Sequence, residues 1–495
     1  MVSLDQYIGK DNPVHVIDMF VDQLDLGELG FSKTKLSKEG RPPYEAKHLL
    51  KLYYYGYLNR IRSSRKLQAE CSRNVEVRWL IYDLQPAYHT IADFRKDNAA
   101  ALKKAFKMFV GFLRGQDVFG KETIAVDGTK IRAQNNKKNN FNDAKFAKSF
   151  EYIETKIEEY IKELDHCDGL EDKEASDLNK KDITEKIEVL KKRREQYKRL
   201  KETMIKSGEK QISMSDPDSR SLPLKDGITD VCYNVQAVAD NKNSLIVEFD
   251  TINTTDQGQL CPMATEAMKA LEVQQIKALA DKGYHTGKDL QDCKDGHITT
   301  VVAYPEKNNK NIDPAYQTSN FIYDKEQDNY TCPQGASLST HGNEYKKTRE
   351  GRSSYTVKSY VTDLCLTCMA KHLCTQGKRK IIERSEYQDV VDENNKRVDE
   401  NGPLYKTRQQ ISEHCFGTIK RNWGYTYTLL KGMKKVNGEM AIIFTMYNLR
   451  RAMSIFGISE LISRLKQLKV GQKEPKTSVL GLFAPYRFIP IAMAA

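Results

Sequence analysis

The chain lacks any long, uninterrupted apolar run. Its first stretch, Met1 to Leu26, scatters acids among the hydrophobic residues. A secretory leader needs a continuous apolar core, and a membrane-spanning helix needs about 20 consecutive apolar residues. Neither is expected, so the protein is expected in the cytoplasm with no membrane partner. Acids are also in deficit, 67 Asp+Glu against 79 Lys+Arg, a net charge of +12. That balance favours a polyanionic partner, nucleic acid first, although a basic soluble protein needs no such partner. Cysteine is sparse outside one region: four of the ten fall between Cys332 and Cys374. Such a cluster in a cytosolic chain serves metal binding more often than disulfides. With 495 residues the chain exceeds one ordinary core, and two to four domains are expected.

What is present centres on Thr123-Ile124-Ala125-Val126-Asp127-Gly128-Thr129-Lys130. β-Branched residues ending at Gly read as a short buried strand with one carboxylate at its tip. Alone, Asp127 could simply start a turn. Ile276 to His285 repeats the plan, with an apolar strand followed by Asp281 and Gly283. Ile411 to Arg421 reads as a helix carrying Glu413. Two strand-end aspartates and one helical glutamate have the chemistry to hold divalent metals, because hard cations take oxygen ligands.

In chain order, residues 1–118 read as all-helical. Val14, Ile17, Val21 and Leu24 recur at helical spacing, and Pro42-Pro43 opens a second helix. Ser63-Ser64 caps a third helix and Thr90 a fourth. Tyr53-Tyr54-Tyr55-Gly56-Tyr57 has two readings, a stacking surface for bases or core packing, and aromatics at helical spacing favour packing. Arg60, Arg62, Arg65, Lys66, Arg73 and Arg78 form a basic region suited to phosphate contact, or a solvated face. Residues 119–142 hold the Asp127 strand and a polar loop. Residues 143–211 carry two apolar stripes, one through Phe146, Phe150, Ile153, Ile157 and Leu164, the other through Ile183, Ile187, Leu190, Tyr197, Leu200 and Met204. They predict an inserted helical hairpin that pairs with itself by default.

Residues 212–304 turn α/β, with antiparallel strands around Val231–Val238 and Leu245–Phe249, a helix over Asp256–Leu271, the Asp281 strand, a short helix and a strand at Thr299–Tyr304. The pattern predicts a mixed sheet flanked by helices. Residues 305–404 interrupt it with Cys332, Cys365-x-x-Cys368 and Cys374, a set suited to one closed, structural Zn²⁺, with four reduced structural cysteines as the other reading. Residues 405–456 return to helices and 457–495 form a tail. Ile411, Cys415 and Ile419 make an apolar stripe, with Glu413 and Lys420 on the other side. Trp423 is either a clamp for a flipped base or, with more weight, a packing residue.

Together these stretches resemble bacterial insertion-sequence transposases of the DDE type. The resemblance rests on Tyr54-Tyr55-Gly56-Tyr57, Ser63 to Leu67, Arg78-Trp79-Leu80, Thr90 to Arg95, Val126-Asp127-Gly128-Thr129, Tyr233-Asn234-Val235-Gln236, Asp281-Lys282-Gly283-Tyr284 and Glu413 to Arg421, in that order. It implies an RNase-H-like catalytic core, an all-α N-terminal DNA-binding domain and, in one branch of the group, a zinc-binding insert. It further implies that Asp127, Asp281 and Glu413 are the catalytic acids holding Mg²⁺ or Mn²⁺. Tyr405, Arg408, Glu413 and Lys420 resemble a Tyr-Arg-Glu-Lys signature, although four residues rather than three separate Arg408 from Glu413. Lys420 and Arg408, with Lys130, Arg132, Arg65 and Lys66, are the expected DNA contacts. The implied substrates are the element's terminal inverted repeats and target DNA, with a homodimer in the synaptic complex and a place at the bacterial nucleoid. The rival readings are an RNase-H-like nuclease, a non-catalytic DNA-binding descendant, and a zinc-centred scaffold.

Overall fold

The computed structural model describes residues 4–32, 44–167, 173–224, 227–305, 311–348 and 354–467. Pro42 and Pro43, and the tail past Gln467, lie outside the described residues. Six helices come first: α1 (Val14–Gln23), α2 (Ala46–Leu58), α3 (Ser64–Arg73), α4 (Val75–Leu80), α5 (Tyr88–Asp97) and α6 (Ala99–Gly115). Asn74 separates α3 from α4 by accepting the amides of Glu76 and Val77, satisfying donors at the new helix start. The fourth expected helix starts at Tyr88, so Thr90 lies inside it and not at its cap. Next come β1 (Thr123–Arg132), β2 (Asn140–Asn142), α7 (Asp143–Cys167), α8 (Lys173–Lys206), β3 (Gln211–Ser213), β4 (Arg220–Pro223), β5 (Thr229–Asp240) and β6 (Ile246–Ile252). The α/β part continues with α9 (Leu260–Leu271), β7 (Ile276–Ala280), α10 (Gly287–Asp295) and β8 (Ile298–Val302). The cysteine region supplies β9 (Ile322–Asp324), β10 (Asn329–Thr331), β11 (Ser337–Lys347), β12 (Tyr355–Val361), α11 (Lys371–Cys374) and β13 (Ile382–Ser385). Last are α12 (Gln388–Glu400), α13 (Gly402–Phe416), a π-helical turn (Gly417–Asn422), α14 (Met433–Phe456) and α15 (Ile458–Gln467).

The chain divides into two compact units, one of Met1–Phe119, Gly128–Thr255 and Glu413–Ala495, the other of Gly120–Asp127 and Asp256–Ser412. In the first, α14 is buried on all sides, from Val436 to Ala452, and lies against α6 and α2. Gly438 permits the close crossing, since a Cβ there would come within 2.5 Å of Ala99 Cα. Phe249 of β6 sits between Phe106 and Phe444, with ring centroids 4.9 and 4.8 Å away. Tyr53, Tyr54 and Tyr57 are fully buried, so the aromatic run is core. β5 pairs antiparallel with β4 and with β6, and β1 is its other neighbour. The hairpin of α7 and α8 pairs with itself through Phe146, Ile153, Tyr197 and Met204 over Phe141 and Ile212.

In the second unit, β1, β7 and β8 run parallel. Parallel strands need crossover helices, which here are α9 before β7 and α10 before β8. α12, which the sequence reading assigned to the cysteine insert, packs on β8. Asn394 donates to Val302 O at 2.8 Å and accepts Val302 N at 3.0 Å. The insert is a five-stranded antiparallel sheet, ordered β13-β12-β11-β10-β9, over a small core of Phe321, Tyr330, Leu338, Tyr360 and Ile382. The succession of antiparallel strands, then parallel strands with crossover helices, is a mixed α/β fold of RNase-H-like character. Among the described residues no helix is long and apolar enough to cross a membrane.

Candidate active site

The second unit brings two of the expected acids together. In the parallel pair of β1 and β7, Ile124 lies opposite Ala278 and Ala125 opposite Leu279. Carrying that register two residues further sets Asp127 opposite Asp281. Residues in matched register on neighbouring strands point to the same face, so both carboxylates leave the sheet on one side. Both are half-buried. Asp281 caps a short 3-10 turn, its Oδ1 accepting Gly283 N at 2.8 Å. A Cβ on Gly283 would stand 2.9 Å from Asp281 Oδ1 and 3.5 Å from Asp256 Oδ2. A side chain at 283 would therefore crowd the Asp281 carboxylate, and the same spot is bordered by Asp256, an acid that sequence reasoning missed. Asp256 was expected inside a helix, but α9 begins only at Leu260 and Asp256 lies in the loop before it.

Arg408 reaches the first of these acids, with Nη1 3.7 Å from Asp127 Oδ2 and only 16% of its side chain exposed. Its guanidinium also sits 5.6 Å from the Tyr405 ring. The altered spacing of the Tyr-Arg-Glu-Lys signature thus leaves Arg408 beside an acid.

Glu413 opens the C-terminal segment of the first unit and is exposed on α13. The apolar stripe beside it is buried, with Ile411, Cys415 and Ile419 all below 5% exposure. Helical spacing predicted Glu413 and Lys420 on one face two turns apart. The helix instead changes to a π turn at Gly417, which widens the coil and rotates Lys420 away from that register. Lys420 Nζ donates to Thr129 Oγ1 at 3.0 Å and to Lys130 O at 3.1 Å, tying the turn to the second half of β1. Lys130 is half-buried and Arg132 exposed. The Arg132 backbone bonds to Thr426 O and Thr428 N, which fixes that end of the strand.

The N-terminal basic region splits into three kinds of residue. Arg62 is buried, donating to Tyr427 O at 2.8 Å, stacking on Tyr425 and Tyr427, and lying 3.5 Å from the buried Glu439. Arg73 and Arg78 pair with Glu70 and Asp83. Arg65 and Lys66 are exposed on α3. Trp423 is buried edge-on to Tyr425, in a packing role.

Cys332, Cys365, Cys368 and Cys374 are free thiols in the second unit. Cys332 Sγ accepts the amide of Ala336 at 3.3 Å across a tight turn completed by Gly335 at φ +80. Burial pushes the Cys374 thiol up, Lys380 opposes this, and the charges of Cys365, Cys332 and Cys368 push it further. Cys374 therefore feels the other three cysteines. Even so, among the described residues no three His, Cys, Asp or Glu side chains stand at distances that fit one metal ion.

Two family models match this chain. Residues 2–97 match one described as Transposase domain (DUF772), and residues 331–453 match one described as Transposase DDE domain. No curated protein and no solved structure matched.

Proposed function

We propose that this chain, an insertion-sequence transposase of the DDE type, cuts DNA at its element's terminal repeats with Asp127, Asp281 and Glu413 as catalytic acids. The observation that carries the reading is the register of β1 and β7, which, continued two residues beyond Ala125 and Leu279, sets Asp127 opposite Asp281. DDE transposases generally use divalent metals. The fit here is chemical: half-buried, oxygen-only donors backed by a third carboxylate, Asp256. When bound there, Mg²⁺ or Mn²⁺ would activate the attacking hydroxyl and stabilise the leaving oxygen of the scissile phosphate. Asp127, midway along β1, and Asp281, just past β7, would hold the cation, with Glu413 as the third ligand. Arg408 orients the Asp127 carboxylate through its charge. Lys420 holds β1 in place and is poised to exchange its Thr129 contact for a phosphate oxygen, which it would meet as a point charge. Lys130, Arg132, Arg65 and Lys66 would carry the DNA backbone, and a second copy would complete the paired-end complex.

Nicking of a labelled terminal fragment tests the reading. Asp127→Asn, Asp281→Asn and Glu413→Gln should each fold and bind DNA. Each should lose roughly a thousandfold or more in cleavage, because the ligands of one cluster act as a unit. Cleavage should stop with chelator and return with Mg²⁺. A Glu413→Gln enzyme that cuts at the parent rate would remove Glu413 from the set.

We further propose that Cys332, Cys365, Cys368 and Cys374 hold a structural Zn²⁺. Four thiolates repel one another unless a cation sits among them, and the amide donated to Cys332 is a contact that thiolate ligands attract.

A further inference from the structure

Two cysteines outside both sites face each other across α9 and α10. Cys261 lies in the first turn of α9, and Asp289 of α10 docks on that turn. The Asp289 carboxylate accepts Leu260 N and Cys261 N, each at 3.0 Å. Cys293 follows Asp289 by four residues, one helical turn on, so it shares the face that meets α9. Each thiol is the strongest influence on the other's ionisation, as expected of neighbours across this docked helix pair. Their settings differ. Cys293 is fully buried, whereas Cys261 is partly exposed, with Thr265 Oγ1 3.9 Å from its sulfur.

We propose that Cys261 and Cys293 form a peroxide-responsive dithiol, with Cys261 the attacking sulfur and Cys293 the resolving one. The Cys261 thiolate attacks one oxygen of hydrogen peroxide, breaking the O–O bond to give a sulfenic acid and hydroxide. The Cys293 sulfur then attacks the sulfenic sulfur, its proton leaves with the displaced oxygen as water, and the S–S bond closes. Two thiols are oxidised by two electrons and one peroxide is reduced.

The assignment of roles follows from the surroundings. The thiolate is the nucleophile, and of the two sulfurs only that of Cys261, in the first turn of α9, is open to a dissolved oxidant. The hydrogen bond from Cys293 lowers the Cys261 thiol to about 7, aided by Thr265 and opposed by burial and by Asp289 and Asp292. The same hydrogen bond and burial push Cys293 far up, which keeps it a thiol until Cys261 has reacted. The cross-link would enclose β7 and Asp281 in a loop from residue 261 to residue 293. Because the chemistry lies between two helices, it does not depend on the assignment of the acids.

The test uses the full-length, reduced protein. It is treated with hydrogen peroxide, alkylated, digested without reductant and mapped by mass spectrometry. The expected product is a peptide pair joined at Cys261 and Cys293 that separates with dithiothreitol. In C293S, Cys261 should stop at the sulfenic acid and take up dimedone, while C261S should leave Cys293 unmodified. Sulfinic acid at Cys261 in the parent without a link to Cys293, or a parent disulfide drawn only from other cysteines, would overturn the proposal. Mapping of the parent decides the matter even if a serine variant folds poorly.

Discussion

Asp281 meets its neighbours at Gly283, so the closest test of the site is a single methyl group. Gly283→Ala would bring a Cβ to 2.9 Å from Asp281 Oδ1, and the carboxylate must turn away. Cleavage should fall on the order of 10- to 100-fold, since a displacement near 1 Å is costly at a reacting centre. DNA affinity measured by fluorescence anisotropy should hold. Asp256→Asn should cost about 10- to 100-fold as well, the usual loss for a group that supports metal ligands. Glu266→Gln is the control. Glu266 lies on α9 and pairs with Lys269 at 2.7 Å in a solvent-exposed contact. Equal rates for the Asp256 and Glu266 variants would take Asp256 out of the site.

At the scale of elements, the crossing of α14 on α6 is the contact most sensitive to added volume. Gly438→Val would place its Cβ in the Ala99 backbone, which cannot move independently of α6. Chemical denaturation should show a loss of about 1–3 kcal/mol or more, the range for overpacked cores. A Gly438→Val protein as stable as the parent would mean that the helices part more easily than this packing implies. The cysteine sheet makes a separate prediction. Among the described residues its hydrophobic cluster has five buried members, a small core for five strands that a staple would reinforce. Cys368→Ser should lower the zinc content of purified protein to near zero and open the β9–β13 sheet to protease. Parent protein prepared without chelators and free of zinc would refute the metal staple.

For the molecule as a whole, the first unit draws on both ends of the chain. Its core joins the N-terminal helices to α14 through Tyr57, Arg62 and Glu439, with the Tyr57 hydroxyl donating to Glu439 at 3.2 Å. Deleting residues 1–118 would expose the α14 face that α6 and α2 cover, and would leave Glu439 without Arg62. The truncated chain should be insoluble or lose its cooperative thermal transition, not simply lose DNA binding. A softer test of DNA contact is the pair Arg65→Ala and Lys66→Ala. Because each phosphate contact releases counterions, the salt dependence of binding should flatten by about one unit of slope per residue. An unchanged slope would move the DNA interface away from α3.

Local pattern already determined much of this protein. The apolar runs at Ile124 and Ala278, the stripes at Phe146 and Tyr197, and the buried face of Ile411, Cys415 and Ile419 are legible because side-chain direction repeats with fixed local periods. The same holds for the α/β order, and so for the strand that carries Asp127 and the one that leads into Asp281, although β1 runs on to Arg132 and leaves Asp127 in mid-strand, not at the expected tip. Tertiary structure alone decided which distant segments meet. Asp256 and Asp281, 25 positions apart, both border Gly283. Arg408 reaches Asp127 across 281 positions of chain, and Arg62, read as a phosphate contact, is consumed by Tyr427 and Glu439. The π turn that redirects Lys420 has no periodic signature either. Such meetings depend on strand register and helix crossing, which are set when whole elements bury their faces together, and no stretch of sequence carries that information by itself.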